Sequence, residues 1–482
     1  MKRGTTSSPE LLVELDRRDE RPLRAQLEDG LRDAVRTGRL AAHARMPASR
    51  ALAGDLGVSR RLVVDAYAQL LAEGYLVARR GAGTYVAGAA EAGEPAAAQS
   101  PPRPLQFDFF PGHPDLSSFP RRAWGRALRS AVAEAPDSAF GYPDPRGAIE
   151  LRRALAGHLR RVRGLVADPE SIVICAGAAQ GFALLARALP GSRLAVEDPG
   201  LAPHRAILAE HGAELLGLSV DEQGARVDQL AALAARSGPI DAVLVTPAHQ
   251  SPMGVAMAPA RRAALLAWAG ATGGLIFEDD YDAEYRYDRA PLGALQGLAP
   301  DRVVYMGTVS KTLAPAIRLG WLVLPSRLRD RVTAQKTLAD HGSPTIDQLA
   351  LARLIEGGDY DRHLRQARRR YRARRDALVE ALATNLPEAR VTGVAAGLHA
   401  IVRLGRPFDA LALMRAAAER SLGVYPLGFA YIDPRPADDG LVLGYANLAE
   451  PAIAEGVRRL AEVLAEMPSP PAATNDGGAI AR

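Results

Sequence analysis

Between residues 106 and 467, apolar runs of strand length alternate with amphipathic stretches of helical period, the signature of a parallel sheet covered by helices. SIVICAG (171–177) is followed by AAQGFALLARAL (178–189), and RLAVEDPG (193–200) by HRAILAEHG (204–212). AVLVTPAH (242–249), GLIFEDD (274–280) and VVYMGTVS (303–310) continue the series. From about Ser326 the pattern changes. TIDQLALARLIEGG (345–358) and DRHLRQARRRYRARRDALVEALA (361–383) read as long helices, and LHAIVRL (398–404) and LVLGYANL (441–448) as strands. That stretch is expected to form a second, smaller α+β lobe, with the arginine-dense helix presenting a solvated or interface face.

Before this body lies a unit the size of a winged helix (10–87), then GAAEAGEPAAAQSPPRPL (88–105), which reads as a linker. The tail 468–482 is polar and rich in Pro and Gly, and is expected to be disordered. A chain of 482 residues that is 48% hydrophobic can bury more than one core. Cys175, the only cysteine, has no intramolecular disulfide partner, and MKRGTTSSPE lacks the apolar stretch of a secretory signal. Apolar runs such as 172–175 fall far short of the ~20 residues that span a bilayer. A cytoplasmic protein without a membrane segment is expected.

Charge is concentrated at the N-terminus. Residues 1–87 hold fifteen Lys/Arg against eleven Asp/Glu, which leaves +4 of the chain's +5 there. In that unit, PLRAQLEDGLRDAVRTGRL carries apolar residues at helical spacing (Leu23, Leu27, Leu31, Val35). MPASRALAGDLGVSRRLVVDAYAQLLAEGYL then reads as a short helix, a turn at Gly57 and a longer helix capped by Ser59, which is helix-turn-helix spacing. Arg60 and Arg61 fall on the first turn of the second helix, the end that enters a major groove, where arginine can fork onto guanine or clamp phosphate. LVARRGAGTYVAG reads as two strands around a turn, with Arg79 and Arg80 placed for a wing on the DNA backbone.

Lysine is scarce: of 60 basic residues only Lys2, Lys311 and Lys336 are lysine. Arginine cannot form a Schiff base, so Lys311, just after an apolar strand in VSKTL, calls for an explanation. It would hold a phosphate-bearing aldehyde as an imine, with Thr308, Ser310 and Arg318 on the phosphate. The acidic run at 278–280 ends another strand and can pair with a protonated pyridine nitrogen, and Tyr281 can hydrogen-bond the ring's phenolate oxygen. Cation binding by the two aspartates is the rival, but no third hard ligand is spaced nearby, and no metal is expected. Ala178 and Ala179 open a helix whose N-terminal N–H groups suit an anion.

The ordered set R-x-L-A, G-V-S-R, A-Y, L-x-x-E-G-Y and R-x-G-x-G-T-Y-V resembles the winged helix of GntR-type bacterial regulators. The motifs GYPDPRG, AGAAQG, VEDPG, TPAHQSPMG, EDDYDAEYRY and SKTLAPAIRLGW resemble fold-type I aminotransferases. Together they are similar to the MocR/GabR subgroup of GntR regulators over about residues 10–465. The resemblance implies an N-terminal winged helix, an α/β fold-type I aminotransferase-like domain (106–467) and the smaller C-terminal lobe. It implies pyridoxal 5'-phosphate (PLP) as cofactor, the internal aldimine on Lys311, Asp279 on the pyridine nitrogen, Tyr281 on the phenolate oxygen, and His249 and Gln250 beside the ring. Ala178, Ala179, Thr308, Ser310 and Arg318 would hold phosphate, with Tyr142 reaching it from the partner subunit of a head-to-tail homodimer. Arg50, Ser59, Arg60, Arg61 and the wing near Thr84 would meet operator DNA.

Two departures bear on function. Val442 stands where many aminotransferases carry the arginine that clamps the substrate α-carboxylate, which argues against productive transamination. Leu201 stands where relatives often have tyrosine, leaving His204 as the candidate to stack on the ring and Arg205 as a candidate for an effector carboxylate. The expected function is a DNA-binding regulator that senses PLP or a PLP–amine adduct; the alternative is a working aminotransferase with a DNA-binding head. The subgroup includes regulators of vitamin B6 synthesis that sense PLP and others that sense amino acids, and the missing arginine favours PLP.

Overall fold

The computed structural model describes residues 13, 15–79, 83–87, 105–287 and 292–467. The chain divides into two compact units, Met1–Pro102 and Arg103–Arg482. The linker residues 88–104, the tail 468–482 and Arg80 lie outside the described residues.

In the first unit the helix Leu23–Arg36 buries Leu27, Leu31 and Ala34, one stripe at helical spacing. The helices Ser49–Asp55 and Arg60–Ala72 follow, joined through Gly57 at φ +61°, a left-handed conformation that glycine adopts without strain. Ser59 caps the longer helix, its hydroxyl accepting the Leu62 N–H at 3.2 Å. The strands Leu76–Arg79 and Gly83–Val86 pair antiparallel, and Leu52, Val63, Leu70, Leu76 and Val86 close the core with the first helix.

The second unit is built on an eight-stranded sheet. Its spatial order is Ile172–Cys175, Gly320–Val323, Val303–Thr308, Leu275–Asp279, Ala242–Val245, Arg193–Asp198, Glu214–Asp221 and Gly224–Ala225. Pairings are parallel from Val303–Thr308 through Glu214–Asp221, whereas Gly320–Val323 runs antiparallel to both of its neighbours. The strands Ile172–Cys175, Arg193–Asp198, Ala242–Val245, Leu275–Asp279 and Val303–Thr308 therefore end at one edge, where an open α/β sheet binds ligands. Helices cover both faces, because strands buried on each side are apolar throughout.

The smaller lobe is a three-stranded antiparallel sheet of Arg390–Thr392, His399–Arg403 and Gly440–Gly444. The 27-residue helix Asp359–Asn385 and the helix Glu450–Glu466 pack on it. It begins later than the expected boundary at Ser326. Leu328 and Val332 of helix Ser326–Asp340 join the core around Phe182, and Leu349–Leu354 join Leu151 and Ile174 on the other face of the large sheet. The arginine-dense helix is not wholly a solvated face either. Arg374 and Arg375 are buried, donating to the carbonyls of Ala446 and Val394. No helix among the described residues is long and apolar enough to cross a membrane.

Candidate functional site

Lys311 sits in the turn after Val303–Thr308, and its position is tightly constrained. The Tyr285 hydroxyl donates to its carbonyl at 3.3 Å, and a Cβ on Gly112 (φ +77°) would lie 3.2 Å from its Nζ. Burial pushes its ammonium below the usual lysine range, against the pull of the Asp282 and Asp279 carboxylates. A depressed amine is more often neutral, the state in which it attacks a carbonyl.

The acidic run beyond Leu275–Asp279 is sorted by its partners. Glu278 accepts the N–H groups of Leu295 and Gln296 at 2.9 and 3.0 Å. Asp280 is spent in a buried pair with Arg163 (2.7 Å) and a hydrogen bond from Tyr305 (2.7 Å). Asp282 lies 2.9 Å from His249 Nδ1. Asp279 and Asp280 each keep an unpartnered buried oxygen, Oδ1, but Asp280 already carries the Arg163 ion pair, whereas Asp279 lines a cavity and its Oδ2 lies 3.5 Å from His204 Nδ1. A buried carboxylate oxygen without a donor is costly, and a pyridinium N–H would satisfy it.

His204, its ring 4.4 Å from that of Phe182, lines one cavity with Asp279, Leu201, Arg205 and Ser251. Arg205 donates to the Ala430 carbonyl at 2.8 Å. Glu197 also lines this cavity; Thr246 N, Thr246 Oγ1 and Gln250 Nε2 all donate to its Oε2, yet burial pushes its carboxyl up to about 7. The Tyr281 hydroxyl lies 3.1 Å from His249 Nδ1. Gln250 holds the loop together, donating to Glu197, Pro199 and Ser251 and accepting Met253 N–H at 2.9 Å.

A second cluster forms where the helix Ala178–Ala188 begins. Gly177 at φ +81° caps it without a side-chain acceptor, leaving the first-turn N–H groups of Ala178 and Ala179 available. Arg318, itself at φ +53°, donates to the Ala176 carbonyl, and a Cβ on Gly177 would lie 3.1 Å from its guanidinium. Thr308 Oγ1 lies 2.9 Å from Ser310 Oγ. Amide donors, two hydroxyls and a guanidinium make an anion cup. With Lys311 and Asp279 beside it, this donor set fits a phosphorylated pyridine aldehyde. Tyr142 stands apart in the single chain, 95% exposed.

Residues that sequence reasoning passed over are Ser251, Asp282 and His113. His113 packs against Phe110 (4.1 Å), and burial and then the Lys311 charge lower its pKa. The PGHPD motif that carries it gives no periodic or charge signal. Among the described residues no cluster of metal-ligating side chains occurs.

On the head, Arg50, Arg60 and Arg61 are exposed, with Arg61 at 92% side-chain exposure and only a 3.9 Å approach to Asp65. Arg79 is exposed, its guanidinium 4.7 Å over the Tyr85 ring. Thr84 is half-buried on the ladder face shared with Val86.

Residues 113–437 match the aminotransferase class I and II family, and residues 23–86 match the gntR family of bacterial regulatory proteins. The chain is 35% identical to the HTH-type pyridoxine biosynthesis transcriptional regulator PdxR of Corynebacterium glutamicum, over 91% of this chain and 95% of that protein. It is 33% identical to the Probable rhizopine catabolism regulatory protein MocR of Rhizobium meliloti, over 93% and 95%. Its structure is similar to that of the multiple substrate aminotransferase of Thermococcus profundus (TM-score 0.70, 28% identity), covering 75% of this chain and 91% of that one.

Proposed function

The chain belongs to the MocR-type GntR transcriptional regulators with an aminotransferase class I and II domain, and from that premise we propose that PLP held at Lys311 controls how tightly the head binds DNA. The observation that carries this reading is one chain joining exposed arginines on the first turn of Arg60–Ala72 to a half-buried lysine of lowered pKa and an unclaimed Asp279 oxygen.

When bound, PLP supplies an electrophilic aldehyde on an electron-withdrawing ring. Lys311 is the amine that takes the aldehyde, and its lowered pKa keeps it reactive. Asp279 Oδ1 holds the ring nitrogen's proton, with His204 steadying Oδ2. Tyr281, its hydroxyl 3.1 Å from His249 Nδ1, would hold the phenolate oxygen, with His249 beside the ring. Ala178, Ala179, Thr308, Ser310 and Arg318 bind the phosphate, and Tyr142 completes the cup of a second copy, so the working form is a homodimer. Gln250 acts on the ring through the loop it braces. Arg50, Ser59, Arg60, Arg61, Arg79, Arg80 and Thr84 meet the operator.

PLP itself is the effector we favour. Val442 packs with Ile401 and Leu427, and no guanidinium replaces the missing carboxylate clamp on that strand. The likeness to PdxR, named for pyridoxine biosynthesis, points the same way. Arg205 is the alternative carboxylate contact if an amino acid is sensed. A direct test is borohydride treatment of PLP-loaded protein followed by peptide mapping; label on the peptide bearing Lys311 is expected, and its absence there refutes the assignment. Sustained turnover with amino acid and keto acid would instead support a working aminotransferase.

A further inference from the structure

The strand ladder of the head sorts the wing's side chains onto two faces, and one residue no motif singled out lands on the outer face. Residues 76–79 and 83–86 pair in the register Leu76↔Val86, Val77↔Tyr85, Ala78↔Thr84 and Arg79↔Gly83. Alternation along a strand puts Leu76, Ala78, Thr84 and Val86 on one side and Val77, Arg79, Gly83 and Tyr85 on the other. The first side enters the core at one end, where Leu76 and Val86 are 2% and 1% exposed, and emerges at the other, where Ala78 is exposed and Thr84 half-buried. The second faces solvent, with Val77 40% exposed.

The segment before helix Ser49–Asp55 adds a third edge to this ladder. Arg45 bridges Tyr85 as its direct antiparallel partner, and Met46 N–H donates to the Thr84 carbonyl at 2.8 Å. Directly opposed residues share a face, so Arg45 projects on the side of Tyr85 and Arg79, while Met46 turns into the core at 4% exposure. The side chain of Arg45 lies across Gly83: a Cβ there would meet its Nε at 3.5 Å. Arg79 lies over the Tyr85 ring from the neighbouring strand. Two exposed guanidiniums thus flank Gly83 and Tyr85 on the outer face of the wing, one on each side.

Resting on the regulator reading above, we infer that Arg45 is a DNA-backbone contact, forming with Arg79 a two-arginine phosphate clamp on the outer face of the wing. The motif reading gave the wing Arg79, Arg80 and the stretch near Gly83–Thr84, and it did not single out Arg45. A clamp of this kind adds affinity and fixes register without reading bases. Its signature is therefore electrostatic and independent of sequence.

The test measures binding of full-length protein to a fluorescein-labelled random-sequence duplex by anisotropy, between about 50 and 200 mM NaCl. Arg45→Ala is expected to reduce the slope of log affinity against log salt by about 0.9 for each DNA-bound head, and to weaken binding equally on unrelated duplexes. Arg45→Lys, which keeps the charge, is expected to retain the wild-type slope. An Arg45→Ala slope equal to wild type overturns the inference, and so does an Arg45→Lys variant that shares the alanine defect, because Arg45 would then only shape the wing. Wild-type protein that binds no duplex overturns the regulator reading and this inference with it, a result distinct from an unchanged slope.

Discussion

Among the four acidic residues at 278–282, position alone does not reveal which is functional; their surroundings separate them, since Asp280 carries a buried ion pair with Arg163 while Asp279 lines the cavity beside His204. Asp280 is committed to Arg163 and Tyr305 in the interior, so Asp280→Asn should leave a buried guanidinium uncompensated and cost about 3–5 kcal/mol of stability, read by denaturant melting of cofactor-free protein. Asp279→Asn should leave that stability nearly unchanged and weaken PLP retention about ten- to a hundredfold, the worth of a charged hydrogen bond, read by absorbance after dialysis. Equal behaviour of the two variants would remove the distinction. Glu197 supplies a pH signature. Its folded pKa, about 7, lies above its ordinary value, so its contribution to stability is fully present at pH 4 and is lost as pH rises through 7. Glu197→Gln should therefore gain on wild type by up to about 3 kcal/mol between pH 4.5 and 8, and parallel melting curves across that range would refute it.

Elements with their own local chemistry are legible in the sequence. Ser59 stands before an apolar periodic run, and the structure has its hydroxyl on Leu62 N–H; Ser59→Ala should cost about 1 kcal/mol of head stability, measured as a lower melting midpoint of the winged helix, and an unchanged midpoint would deny the cap its role. The apolar runs ending at Cys175, Asp198, Val245, Asp279 and Thr308 read as strands because both of their faces are buried, which leaves no polar alternation to confuse with a helix. Glu214–Asp221 escaped notice because it lies near the sheet's rim, half-buried, with a mixed pattern. The lobe boundary was misplaced for a related reason. Helices Ser326–Asp340 and Thr345–Glu356 have ordinary amphipathic periods, and nothing in a period says which of two sheets will cover it. Within the site, Lys311 and Asp279 could be found by residue type, but Ser251 and Asp282 gain meaning only from what folds against them. Gly177 belongs to the same class: at φ +81°, with an added Cβ falling 3.1 Å from the Arg318 guanidinium, Gly177→Ala should cost about 1–3 kcal/mol in strain and loosen phosphate binding, checked by melting and PLP titration.

At the scale of the whole chain, a regulator of this kind works only if PLP discriminates between the DNA-bound and DNA-free protein, since a ligand shifts an equilibrium by no more than its differential affinity. Linkage then makes the coupling reciprocal: whatever factor PLP applies to DNA affinity, DNA must apply to PLP affinity. Couplings of this kind are commonly about 5–150-fold, well within reach of paired titrations, one following duplex anisotropy with and without PLP, the other following cofactor absorbance with and without saturating DNA. The two factors should agree within error. Lys311→Ala should bind DNA as the cofactor-free wild type does and show no response to added PLP, while Arg60→Ala should load PLP normally and lose DNA. A Lys311→Ala protein whose DNA affinity still follows PLP would mean that the effector acts at a place other than the lysine site. Equal wild-type DNA affinity with and without PLP would leave the cofactor as a structural or catalytic passenger, and the turnover assay would then decide between those roles.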